Sequence, residues 1–242
     1  MPALASPVYR RFLLGAVVGN VGNWMQGTAQ GWLVLGLTNS PGLLGLVSAV
    51  QTAPMLFFSL FAGVLADRVD RRRLIVATQV AGGALAAVLA TLTTTGAVAY
   101  WHVLVLAFLA GTAGSLATPA YQAIVSTLVP RNAIGSAIAL NSAQFNLSRV
   151  LGPALTAPLL LTAGDNGEGW IFFLNGLSFA TIIVSLFFVT LRYKAEPVEP
   201  DAGRSFVRDF VEGGRYIRIH RNIGMLILIT SILGIFGFPI MQ

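Results

Sequence analysis

The chain has no cysteine, a single lysine at position 194 and only nine carboxylates in 242 residues. Without cysteine there is neither a disulfide framework nor a thiolate metal site, and the sequence carries no redox information. Charge as a whole is scarce: 10% of the residues are Asp, Glu, Lys or Arg, against about 25% in an average soluble domain. No such residue occurs from Phe12 through Ala66, nor from Leu74 through Pro130. A water-exposed surface cannot be built from stretches of that kind. Every Asp and Glu falls in an expected loop, so no carboxylate pair and no nucleophile with a base can be drawn inside the apolar segments. His102 stands at an expected span end beside Trp101, and His220 lies in a basic segment. An intramembrane enzyme is therefore disfavoured, and no cofactor or metal site is expected.

Apolar sequence is what remains, 55% of the chain. Each charge-free run could hold two membrane spans of about 20 residues. A turn signal sits inside each run, Asn39-Ser40-Pro41-Gly42 and Thr93-Thr94-Thr95-Gly96, so both read as helical hairpins. Ala133 to Gly164 and Gly169 to Leu191 supply spans five and six, and Ile223 to Met241 a seventh. Sustained apolarity, rather than alternation, excludes membrane β-strands. The first span follows Arg10 and Arg11 without a cleavage motif and reads as a signal anchor.

The basic residues orient these spans. Arg10 and Arg11 precede span one; Arg68, Arg71, Arg72 and Arg73 separate spans two and three; Arg131 separates four and five; the others cluster between Arg192 and Arg221. Apart from Arg149, all lie on alternate loops, and the opposite loops carry none. The positive-inside rule places those loops and the amino terminus in the cytoplasm. The formal charge of +6 thus points to a bilayer and not to nucleic acid. From 204 to 218 apolar and basic residues alternate near helical spacing, as in a surface-lying amphipathic helix or a solvated linker. Residues 1–191 are expected to form a six-helix bundle, 192–222 a cytoplasmic linker and 223–242 the first helix of a second bundle.

Two motifs carry more. After span two the sequence reads Gly63-Val64-Leu65-Ala66-Asp67-Arg68-Val69-Asp70-Arg71-Arg72-Arg73. In span five Ala139, Ser148, Gly152, Thr156 and Ala157 flank Pro153, small residues that let helices approach closely around a tolerated proline. The first motif resembles the signature loop of the major facilitator superfamily, with Asp70 where glycine is usual. The second is similar to its antiporter motif, with several glycines replaced by Ser, Thr or Ala. Together with Tyr9-Arg10-Arg11-Phe12-Leu13, Gln30-Gly31-Trp32-Leu33-Val34 and Asn146-Leu147-Ser148-Arg149, they resemble the enterobactin-exporter-like branch, which holds siderophore and drug efflux proteins of bacterial inner membranes.

The resemblance implies an all-α membrane protein with a major-facilitator-type six-helix amino-terminal bundle and the start of a second. It implies roughly twelve spans in two pseudo-symmetric halves, so the chain reads as an amino-terminal fragment whose partner is the remaining bundle, in a monomeric transporter. Gly63, Asp67, Arg68, Arg71 and Arg72 take the role of a cytoplasmic gate latch, and Gly152 and Pro153 that of a hinge or plain close-packing surface. Spans one and four would line the cavity. Asn20, Asn23, Gln26 and Gln30 fall within about 120° on span one, and Ser115 and Gln122 share a face of span four with Gly111 and Thr118. These are the cavity candidates, or else interhelical hydrogen-bonding groups. Arg149, midway along span five, either attracts an electron-rich substrate or fixes packing. The proton-linked arginine of span four is missing, Ala107 standing in its place. The expected function is export of a small amphipathic molecule, siderophore or drug-like, by alternating access; proton antiport would need a carboxylate from the remaining half, or else coupling takes another route. Import or facilitation shares every one of these features. A seven-helix receptor shares only the helix count.

Overall fold

The computed structural model describes residues 1–187 and Met225, with the side chains at 59, 60, 64, 67, 68 and 165 excepted. The linker expected over 192–222 and, but for Met225, the span expected over 223–242 lie outside the described residues. Met1–Ala195 forms one compact unit. Its six α-helices are α1 (Pro7–Thr38), α2 (Pro41–Arg68), α3 (Arg71–Thr94), α4 (Tyr100–Thr127), α5 (Ile134–Thr162) and α6 (Gly167–Phe187). The shortest has 21 residues and the longest 32. At 1.5 Å per residue each is long enough for a hydrocarbon layer of about 30 Å.

Turn chemistry sets their ends. Asn39 closes α1 in the left-handed region at φ 48°, and the Ser40 hydroxyl then accepts from the Leu43 amide while Pro41 opens α2. Three consecutive residues thus stop one helix, cap the next and start it. Gly96, at φ 70°, follows α3. Asp70 occupies the N-cap of α3 and accepts from the Arg73 amide at 2.9 Å. Its departure from the superfamily's glycine therefore has a local use: it offsets three arginines at the positive end of a helix dipole. Pro54, Pro119, Pro153 and Pro158 all lie inside helices that continue through them, as membrane helices tolerate.

By length and apolarity alone, four helices among the described residues qualify as spans, in α2, α3, α4 and α6. α1 and α5 are long enough but diluted by amides and, in α5, by Arg149. The neighbours run α2, α4, α3, α6, α1, α5, each packed on the next. Exchanging α1 with α4, α2 with α5 and α3 with α6 maps this series onto itself, the pseudo-symmetry of two three-helix repeats.

Two apolar clusters divide the bundle along its length. One joins Tyr9, Phe12, Ile75, Ile124, Ala137 and Leu186 at the arginine-bearing end. The other joins Met25, Val34, Val47, Leu89, Val103 and Phe172 at the opposite end. Trp32, Trp101 and Trp170 are exposed at that second end, while Arg10, Arg11, Arg71, Arg72, Arg73 and Arg131 cluster at the first. Tryptophan at one rim and arginine at the other frame a bilayer. Between the rims Leu14, Phe57, Val80, Phe108, Val150 and Leu177 stand exposed, one from each helix. Hydrocarbon is the solvent that suits them.

Close approach of helices rests on glycine. Gly15, Gly19 and Gly22 of α1 face Ser185, Ile182 and Ser178 of α6, and Thr181 donates to the Gly15 carbonyl at 3.2 Å. Gly111 of α4 abuts the Gln51 backbone of α2, and Gly152 of α5 abuts Trp24 and Met25 of α1. A methyl group at either site would meet backbone that cannot rotate away. Gly111→Ala and Gly152→Ala are each expected to cost about 1–3 kcal/mol by overpacking, read as a lower thermal midpoint of the purified protein. Gly36→Ala, where nothing lies within 4 Å, should instead raise the midpoint slightly.

Candidate functional site

Between the two apolar clusters the helix faces turn polar. A buried amide in an apolar surround is expensive unless it finds a partner, and those of this layer largely find one another. Asn20 of α1 donates to Gln144 Oε1 of α5 at 3.1 Å, and Gln144 donates in turn to Asn141 Oδ1 at 3.2 Å. On the other side of α1, Asn175 of α6 donates to Gln26 Oε1 at 2.7 Å and Asn23 Oδ1 at 3.4 Å. Ser178 completes this group by donating to Asn175 Oδ1 at 2.9 Å. The stripe of α1 therefore joins α5 on one flank and α6 on the other.

The layer opens into a cavity of about 720 Å³. Its walls come from all six helices, α1 and α4 contributing long stretches of each. Asn20, Asn23, Gln26 and Gln30 line it from α1, and Gln122 with Gly111 and Thr118 from α4. Gln51, Gln79, Asn141 and Gln144 add amides from α2, α3 and α5. Among the described lining residues none carries a charge. Two lining groups, Gln79 Oε1 and the Tyr121 hydroxyl, are buried without a hydrogen-bond partner.

Two of the residues assigned to the cavity on sequence grounds lie elsewhere. Ser115 is buried and donates to the Thr112 carbonyl at 2.8 Å, outside the lining. Arg149 is also absent from the lining; its guanidinium lies 5.7 Å from the centre of the Trp24 ring, which in turn meets Phe145 edge-on at 5.8 Å. One turn along α5, Gly152 sits at the α1 crossing with Pro153 after it, and Thr156 donates to the Gly152 carbonyl at 2.9 Å.

The arginine-rich turn lies at the far end of the same helices. Asp67 and Arg68 close α2, and Arg71 and Arg72 open α3; the side chains of Asp67 and Arg68 lie outside what the structure describes. Arg72 stacks over Phe187 at 5.4 Å, tying the start of α3 to the end of α6. Around Gly63, in the last turns of α2, no atom lies within 4 Å of where a Cβ would stand. No grouping of three or more potential metal ligands occurs among the described residues.

Asn175 has no site assignment on sequence grounds, because span six reads as uniformly apolar. A signal was present: Asn175, Ser178, Ile182 and Ser185 recur on one face, opposite the Gly15, Gly19, Gly22 ladder of α1. Small residues at this spacing on two helices mark a contact.

The family model described as "Transmembrane secretion effector", MFS_3, matches residues 1–242, and the chain belongs to that family. The Staphyloferrin A transporter of Staphylococcus aureus is 27% identical over 88% of this chain and 52% of its own length. The multidrug efflux pump Tap of Mycobacterium tuberculosis is 28% identical over 91% of the chain and 54% of its own. Macrolide efflux protein A of Streptococcus pyogenes is 23% identical over 84% and 49%. The chain spans about half the length of the curated relatives it matches. It is a multi-pass membrane protein, and its all-helical unit is a partial major-facilitator bundle.

Because Gln26 and Asn175 satisfy each other, a double-mutant cycle with Gln26→Leu and Asn175→Leu is expected to give a coupling of about 0.5–2 kcal/mol in thermal or denaturant unfolding. The same cycle on Gln26 and Gln122, for which no direct hydrogen bond is seen, should give values near zero.

Proposed function

We propose that this member of the MFS_3 family forms the amino-terminal half of an inner-membrane exporter of small amphipathic molecules, siderophore or drug-like, working by alternating access and not as an enzyme. The observation that carries the reading is the uncharged amide-lined cavity held between two apolar clusters in a bundle with an apolar exterior. Such a cavity is half of a solute path, and the helices lining it have the two-repeat packing that lets one bundle rock against another. The names of the relatives, a siderophore transporter and two drug efflux proteins, support export and the size class of the cargo.

In this reading the arginine-bearing end faces the cytoplasm. Asp67 sits at the carboxyl end of α2, where its own helix dipole disfavours a negative charge. It gains most from a positive partner outside the bundle, a helix amino terminus or a cation of the second half. Open space at Gly63 leaves room for that approach, and Arg68, Arg71 and Arg72 stand behind it. Gly152 and Pro153 form the surface on which α5 shifts against α1, and Arg149, stacked over Trp24, holds that packing. Proton antiport would take its carboxylate from the second bundle, since none is found among the described lining residues.

Cells of an efflux-deficient bacterial host that produce the full gene product should accumulate less radiolabelled chloramphenicol, an uncharged amphipathic probe with hydroxyl and amide groups, than cells with an empty vector. Asp67→Asn should weaken this effect on the order of tenfold, the size of a lost coupling of about 1–2 kcal/mol, at equal membrane abundance. Greater accumulation would mark an importer, and unchanged accumulation of a broad amphipathic panel would remove the export reading. Alkaline phosphatase fused after Val69 should be inactive and after Gly96 active; the reverse would invert the topology.

A further inference from the structure

Most amides of the polar layer are paired within the protein, but two groups of the lining are not. Gln79 of α3 is 8% exposed and its Oε1 has no partner, while the Tyr121 hydroxyl of α4 is equally unpartnered. Both residues line the cavity, and Phe12 packs on the Tyr121 ring at 5.1 Å. α3 and α4 are direct neighbours. An amide oxygen can only accept, whereas a phenol can donate. A buried acceptor and a buried donor on neighbouring helices of the lining are complementary to a group that does both, a hydroxyl or an amide.

Charge points the same way. Among the described lining residues there is no Asp, Glu, Lys, Arg or His to pair with an ion. Arg149, midway along α5, is stacked on Trp24, and neither lines the cavity. An ionic ligand would shed its water in this half of the path without meeting a counter-ion. An uncharged ligand gives up only hydrogen bonds, which the amides can replace.

We infer, building on the export reading, that this half of the cavity selects an uncharged solute bearing hydroxyl or amide groups, one of which is held between Gln79 Oε1 and the Tyr121 hydroxyl. The two residues are specificity determinants of the transport site, and the amide stripe of α1 faces the remainder of the solute.

The test is equilibrium dialysis of the purified full-length product in detergent against three probes sharing one aromatic body: uncharged 4-nitrophenyl-β-glucoside, anionic 4-nitrophenyl phosphate and cationic 4-nitrobenzyltrimethylammonium. The glucoside should be retained at least about tenfold more tightly than either ion. Gln79→Met and Tyr121→Phe, both near-isosteric, should each weaken glucoside retention roughly five- to tenfold, as loss of one net hydrogen bond implies. Neither should change retention of the ions, helical circular dichroism or elution as a single species. Gly36→Ala, outside the lining and with open space around it, should leave retention of all three probes unchanged. Ionic probes held as tightly as the glucoside, no retention of any probe, or full glucoside retention by both variants would overturn the inference, the last leaving only ordered water at the two groups. Selective glucoside retention without efflux from cells would keep the inference and remove the export reading; efflux with indiscriminate retention would do the reverse.

Discussion

A polar group sealed in hydrocarbon must find a partner inside the protein, and the rest of this bundle follows from that requirement. The outer faces of the six helices are apolar, and both ends of the interior are packed with Val, Leu, Ile and Phe. Amides are thereby confined to one layer. There they bridge α1 to α5 through Asn20 and Gln144, and α1 to α6 through Gln26 and Asn175. The same layer that ties the helices together also borders the hollow between them. Cohesion and cavity lining rest on one choice of side chain.

Charge is handled differently at each depth. At one rim the arginines meet water and head groups, and Asp70 caps α3 so that three of them can crowd a helix start. Midway, Arg149 lies over an indole face, a placement suited to an ion with few waters. The lining itself is free of charge among the described residues. A lining of this kind can discriminate by hydrogen-bonding pattern, since amides both donate and accept.

Much of this was legible in the residues alone. The hairpin turns at Asn39 to Gly42 and Thr93 to Gly96 are marked by chemistry that acts locally, so capping and left-handed φ could be read without a partner. Asn20, Asn23, Gln26 and Gln30 announce a common face because the helical period alone aligns them. What could not be read are facts about second helices. Ser115 shares a face with Gln122, yet neighbouring helices bury it and it donates within α4 to the Thr112 carbonyl. Arg149 follows Trp24, a residue 125 positions earlier in the chain by number. Asn175 is a lone amide in an apolar run until α1 is laid beside it. Periodicity reports which residues share a face, whereas the depth and tilt of the neighbour decide which of them meet a cavity.

The first helix also has an unusual place in time. Its hydrogen bonds reach forward over 122 to 166 residues, between Ser6 and the Leu128 carbonyl, Tyr9 and the Ala137 carbonyl, Asn20 and Gln144, Asn23 and Asn175, and the Gly15 carbonyl and Thr181. Its contact with α2, the next helix to be made, is slight beside those with α5 and α6. At ribosomal speeds of about 5–20 residues per second, α1 waits on the order of ten seconds in the bilayer with its amides unmatched. Whatever shelters that stripe meanwhile, translocon or companion protein, attends a helix made well before the partners that seat it.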